Sequence, residues 1–223
     1  NYGTAKVVQN AYTSTNLTRE NYIGMSQGGI VVTSQTQAIG SAVIFEDADT
    51  KYTVSTFDSV NNKIIIAYRD NNNSGYLTAI VGTVSGTSIS FGTPVVAASN
   101  SSQYVGIAFN DNAGKCLISY RNASTQKALA IVGTVSGTSI SFGTAAIFNN
   151  ADTENTVAAY DAASQNVVIA YKDQANSAYG TAIVAVISGT SVSFGSEVVF
   201  ESTNSVPTSI VYDSGSSKVI IGY

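Results

Sequence analysis

The chain has 223 residues, 44% of them apolar and 11% charged, with a net charge of −4. That apolar content supports a sizeable core, while the acid-leaning balance and the lack of any Lys/Arg run disfavour nucleic acid as a partner. Apolar runs of five or six residues are too short for a membrane-spanning helix, and a chain without histidine lacks the commonest general base and the Ser-His and Cys-His relays.

In chain order, residues 1–8 form the first predicted strand, a polar insert with the single Met follows around 11–29, and a second strand spans 38–46. A repeat then takes over. The stretch 81–93 (VGTVSGTSISFGT) returns letter for letter at 132–144 and, altered, at 185–196; Phe91, Phe142 and Phe194 mark its phase, 51 and 52 residues apart. Self-similarity at that period is the mark of a repeat architecture. Each copy breaks into four β-type runs, A to D, by β-branched enrichment and turn residues at the joints. These are 52–57, 63–68, 76–84 and 87–96 in the first copy. They recur at 104–109, 115–120, 128–135 and 138–148, and again at 156–160, 167–171, 179–187 and 190–200. Asp58, Asn110, Asp161 and Asp213 open the A-to-B turns, where a short polar side chain bonds the backbone two residues on. Gly86, Gly137 and Gly189 supply the positive φ of the C-to-D hairpins.

The fourth copy has only A and B, at 208–212 and 218–223. Its missing runs match the other end of the chain: 1–8 resembles run C at 178–185, and 38–46 resembles the core of run D at 193–201. The expected fold is therefore all-β, a β-propeller of four blades with four antiparallel strands each, the last completed by the N-terminal strands. It is read as a single domain, 1–223. Blade 1 covers 46–98, blade 2 99–149 and blade 3 150–201, while blade 4 joins 202–223 to 1–45 around the insert at 11–29. An open solenoid is the alternative. In either case the run ending at Tyr223 needs residues 1–8 as a partner, from its own chain or from a neighbour, and the second choice gives a filament. Starting at Asn1 without Met, the chain reads as an excerpt or a processed product.

The run Tyr179–Gly195 (YGTAIV…SGTSVSFG), with its companion 212–223 and the segment 15–24 (TNLTRENYIG), resembles tandem repeats of long virion or tail-fibre-like proteins of marine bacteriophages. The resemblance covers nearly the whole chain. It implies a non-enzymatic structural or adhesion module on a virion surface or outside a cell, assembling with copies of itself or with other surface proteins. Cell-surface glycans are a further partner class, and neither nucleic acid nor membrane insertion is expected. A second, weaker likeness is to Asp-box propellers such as sialidases. The C-to-D joint occupies the place of their turn but lacks its Asp and Trp.

No catalytic set, cofactor or metal site is expected. Cys116 stands where Ile64, Val167 and Val219 stand in other copies, so it reads as a core residue rather than a nucleophile. Arg19, Arg69 and Arg121 could clamp a carboxylate, but Arg69 and Arg121 are repeat-equivalent, with Lys172 in the third copy, and read as cations at strand ends. The candidate ligand site is a rim of aromatic, cationic and polar groups: Tyr68-Arg69-Asp70, Tyr120-Arg121-Asn122 and Tyr171-Lys172-Asp173. Such a rim would stack and hydrogen-bond sugars, one site per blade. Against it, Asp70 and Asp173 could simply start turns and the tyrosines pack between blades. The ring of Asp58, Asn110, Asp161 and Asp213 could offer oxygens to Ca²⁺, with turn capping as the simpler reading. The insert, which breaks the repeat, is a candidate contact surface or a plain linker.

Overall fold

The computed structural model describes the backbone of residues 2–17 and 30–223, and the side chains of residues 3–7 and 39–223. The described residues form antiparallel β-strands and no helix. Unit 1 is built from the second half of β4 (Val43–Asp58), then β5 (Lys63–Asp70), β6 (Tyr76–Ser85), β7 (Ser88–Phe91) and the first half of β8 (Val95–Asn110). Unit 2 takes the second half of β8 with β9 (Lys115–Asn122), β10 (Ala128–Ser136), β11 (Ser139–Phe142) and β12 (Ala146–Asn149). Unit 3 comprises β13 (Thr153–Asp161), β14 (Asn166–Asp173), β15 (Tyr179–Ser188), β16 (Ser191–Phe194) and β17 (Val198–Asn204). The fourth set is divided between the hairpin β18 (Ser209–Asp213) and β19 (Lys218–Gly222) and the N-terminal strands β1 (Tyr2–Ala5), β2 (Val8–Leu17) and β3 (Ile30–Ile39).

Three features differ from the expected runs. Run D is not continuous: it breaks after the phase-marking Phe, where Gly92 N–H bonds the Val81 carbonyl at 2.9 Å and Gly143 N–H bonds that of Val132 at 3.0 Å. Runs D and A are fused instead, so β4 and β8 each serve two units in one strand of 16 residues. The insert is no plain linker over its described length. β2 pairs with β3 from Val8↔Ile39 to Leu17↔Ile30, and Gly40 N–H bonds the Val7 carbonyl at 2.9 Å, just as Gly92 bonds Val81. It is the C-to-D hairpin of the fourth set drawn out to ten pairs, against four between β6 and β7. Residues 18–29, with Arg19, lie outside the described residues.

The turns follow the polar residues that open them. Asp58 Oδ1 accepts the N–H groups of Val60 and Asn61 at 3.0 and 2.9 Å, and Asp161 and Asp213 do the same for Ala163 and Gly215 at 3.0 and 2.9 Å. Asn110 Oδ1 accepts from Ala113 at 2.9 Å while its amide donates to the Gln165 carbonyl of the next unit at 3.0 Å. At the hairpins, Gly86, Gly137 and Gly189 have φ of +58°, +62° and +62° with ordinary φ at the following Thr, the two-residue geometry that wants glycine first.

The core lies in the seams between units. Strand β5 reads KIIIAYRD and is buried on both faces, which explains why its apolar run is continuous rather than alternating. Ile65 and Ala67 face unit 2, where they join Val105, Ile107, Phe109 and Cys116. Ile66 and Tyr68 face Phe45 on β4. Ala108, Leu117 and Val132 of unit 2 meet Val167, Ile169 and Tyr171 of unit 3 through Phe148. The fourth hairpin carries the same pattern without the same cover. Ile220 is 53% exposed where its equivalent Ile65 is 0%, and Val211 is 60% exposed where Ala108 is 5%.

One buried position varies usefully from seam to seam. Tyr68 Oη donates to Glu46 at 2.9 Å and Tyr171 Oη to Glu197 at 2.8 Å, whereas Tyr120, with Ala98 at the place of Glu46, has only the Asn100 side chain beside its buried hydroxyl. Removing a hydroxyl bonded to a carboxylate costs about 1.5–3 kcal/mol, and removing an unsatisfied one costs little or helps. Tyr68→Phe is therefore expected to lower the urea midpoint clearly, and Tyr120→Phe to leave it level or raise it.

Candidate functional site

The first strand of every unit converges on one open cleft. Val54 and Ser55 of β4, Val105 to Ile107 of β8, Thr156 to Ala158 of β13, and Ser209 and Ile210 of β18 line its middle, a volume of about 290 Å³. One mouth, of about 400 Å³, is bordered by Tyr52, Thr53, Tyr104, Asn155, Thr156, Pro207 and Thr208. Phe57, Phe109, Asp111 and Tyr160 lie at the other.

A β-bulge builds the first mouth. Pairing slips between Lys51 and Val54, between Gln103 and Gly106, and between Glu154 and Val157, and the residue after each first position is left-handed: Tyr52 at φ +51°, Tyr104 at +50°, Asn155 at +52°. For the two tyrosines that conformation costs about 1–2 kcal/mol each, while asparagine adopts it more readily. Such bulges re-aim side chains. The fourth copy places Pro207 there, whose ring fixes φ near −65° and so forbids the same bulge. Tyr52 and Tyr104 pack at 5.4 Å between ring centroids, tilted by 56°, and the Arg121 guanidinium lies 5.8 Å from the Tyr104 ring centroid.

Charges around this mouth are consumed locally. Arg121 donates to Asp152 and to Gln103, both at 2.7 Å. Glu154 accepts from Gln174 at 2.7 Å and from Tyr104 Oη at 3.4 Å, with Lys172 Nζ at 3.9 Å. Burial first, then the Glu154 charge, raises the Tyr104 pKa and keeps its hydroxyl protonated.

Of the rim residues named from sequence, the tyrosines, Arg121 and Asp173 are buried, and the others are partly exposed. The rings of Tyr68, Tyr120 and Tyr171 are buried in the seams, where no sugar can stack on them. Arg121 and Asp173 are buried, and Arg69 reaches the Ser102 carbonyl of the next unit at 3.4 Å. Asp70, Asn122 and Asp173 cap their turns through Asn72 and Asn73, Ser124 and Thr125, and Asn176. Lys172 stands across the strand pair from Glu154. Asp58, Asn110, Asp161 and Asp213 are committed to their turns in the same way, and among the described residues no group of three or more His, Cys, Asp or Glu gathers. Cys116 is fully buried, which pushes its thiol up to about 12.

No family model matches the chain, and no curated protein or solved structure is recognisably similar to it. The site rests on geometry alone. The repeat gives only a faint signal of it: the place of Tyr52 is taken by Tyr104, by Asn155 just before run A of the third copy and by Pro207 just before that of the fourth, a change no larger than those along the rest of run A.

The seam tyrosines also set a pH limit. Burial raises the pKa of Tyr68, Tyr120 and Tyr171, and for Tyr68 and Tyr171 the bonds to Glu46 and Glu197 raise it further. The folded chain then holds these protons more tightly than the unfolded chain, whose tyrosines ionise near about 10. Their contribution to stability is complete below that pH and is lost as pH rises above it. The urea midpoint is expected to hold level between about pH 7 and 8, to begin falling above about 8.5 because the unfolded Cys116 thiol ionises there while the buried one does not, and to fall more steeply above about 10. All 13 tyrosines ionising together near that pH, with the fold intact, would contradict the packing.

Proposed function

We propose that the chain is a four-bladed β-propeller, its fourth blade completed by pairing β19 with β1, and that it serves as a non-enzymatic structural or adhesion module on a virion surface or outside a cell. The supporting observation is a pair of bare faces. Phe57 on unit 1 is 52% exposed while its equivalent Phe109 is 6%, buried against the neighbouring unit. Val211 and Ile220 on the fourth hairpin are bare in the complementary sense. Bringing the two together reproduces the seam between units 1 and 2, and removes the free strand edges that invite aggregation. The register follows from β14 and β15, where Val167↔Ala185 and Tyr171↔Thr181 are paired. By equivalence Val219 meets Val8, Ile220 meets Val7 and Tyr223 meets Thr4. A surface poor in charge, built on one strand pattern whose C-to-D joint returns almost unchanged, suits a scaffold better than an enzyme.

A second reading has the same two faces joined between copies, head to tail, giving a filament. The mass and shape of the purified particle separate them. A compact monomer near 23.0 kDa with a square outline is the expected result. Filaments favour the second reading, and an elongated monomer with both faces open would overturn both.

A further inference from the structure

We propose that the mouth formed by Tyr52, Tyr104, Asn155 and Pro207 binds a neutral saccharide through one pyranose ring. This deepens the adhesion reading and rests on it, but moves recognition from repeated peripheral sites to one site on the axis.

Three observations converge. First, the mouth is concave and mixed in character: aromatic and aliphatic side chains floor it, with hydroxyls and an amide among them, the usual make-up of a small-molecule site. Second, it offers polar groups that the protein leaves unused. Among the described residues, the Asn155 amide, the Tyr52 hydroxyl and the Thr53 hydroxyl make no hydrogen bond, although all three border the cleft. A sugar hydroxyl both donates and accepts, as do an amide and a hydroxyl. Third, the bulges deliver one side chain per unit to the same place and hold two of them, Tyr52 and Tyr104, left-handed at a cost.

Charge decides the class of ligand. No lining residue carries a full charge; of the ions that flank the mouth, Arg121 and Glu154 are already matched by Asp152, Gln103, Gln174 and Lys172, and Lys51, next to Tyr52, is exposed to solvent. A sialic acid, uronic acid or phosphate would enter without a counter-charge. A neutral pyranose, with an apolar C–H face for the tyrosine rings and hydroxyls around its edge, fits what is offered. Pro207 makes the mouth asymmetric, so one ring per chain is expected rather than four.

The test is saturation-transfer NMR on the full chain, using methyl glycosides of glucose, galactose and mannose beside glucuronic acid and N-acetylneuraminic acid. Transfer to ring protons of at least one neutral glycoside is expected, with affinity weakened roughly fivefold to tenfold by Asn155→Ala, the loss of about one hydrogen bond. Asn72→Ala, on an exposed turn, should leave it unchanged. Transfer only to the acidic sugars, transfer indifferent to Asn155→Ala, or silence from a folded sample would each overturn the proposal. Particle mass, measured on the same sample, reports on the scaffold independently, so a silent but compact monomer loses the site and keeps the propeller.

Discussion

Gly143→Ala is expected to lower the stability of the chain by about 3 kcal/mol, the upper end of what overpacking costs. A Cβ at Gly143 would lie deep inside the radius of the Thr190 carbonyl oxygen in the next unit's hairpin turn, with backbone rather than a flexible side chain in the way. The same approach recurs as Gly92 on Thr138 and Gly40 on Thr87, so three of the four sets rest this glycine on the following unit's turn, while Gly195 makes no such approach. Relief requires the two units to separate, which also opens the buried seam between them. For a chain of this size the loss corresponds to roughly 6–12 °C in the melting temperature. Gly137→Asn supplies the contrast: Gly137 has φ +62° and nothing within 4 Å of an added Cβ, and asparagine tolerates that backbone. A melting temperature for Gly143→Ala within a degree or two of the parent would show that the units are not in contact there.

Tyr171→Ala should be as damaging or worse, costing about 3–5 kcal/mol as large buried aromatics do when truncated. The ring is fully buried, 5.3 Å from that of Phe148, and its hydroxyl satisfies Glu197. Truncation opens a cavity in the seam between units 2 and 3 and removes the partner of a carboxylate. Tyr171→Phe keeps the ring and loses only the bond, so the difference between the two variants measures the packing. Chemical denaturation of all three proteins checks this; equal midpoints for Ala and Phe would contradict the role assigned to the ring.

Much of this fold was legible because the chain states it almost four times. The repeated Asp or Asn after an aromatic fixed the A-to-B turns, and the Gly of each SGTS fixed the hairpins, since both types act through local chemistry that a sequence displays. The rim failed for a physical reason also visible in sequence: a run such as KIIIAY has no polar face, so its tyrosine belongs to a seam rather than a surface. The bulges were not legible, because a left-handed Tyr52 or Tyr104 carries no marker that glycine would give. The β2–β3 pairing carried no marker because Thr, Ser, Gln and Asn stand at both odd and even positions of these stretches, so the sequence lacks the alternation of a half-buried strand.

The central claim is that β19 pairs with β1 of its own chain, and a disulfide trap tests it most directly. Ile220→Cys with Val7→Cys places the two thiols across the expected pair, within the Cα separation that a disulfide accepts. Ile220→Cys with Ala5→Cys is the offset control. Cys116 does not compete, being fully buried with its thiol pushed up to about 12. Mild oxidation should give a cross-link in the first protein, within a monomer near 23.0 kDa, and little in the second. Cross-links that join separate chains, or that form no better in the first protein than in the offset control, would contradict closure within the chain.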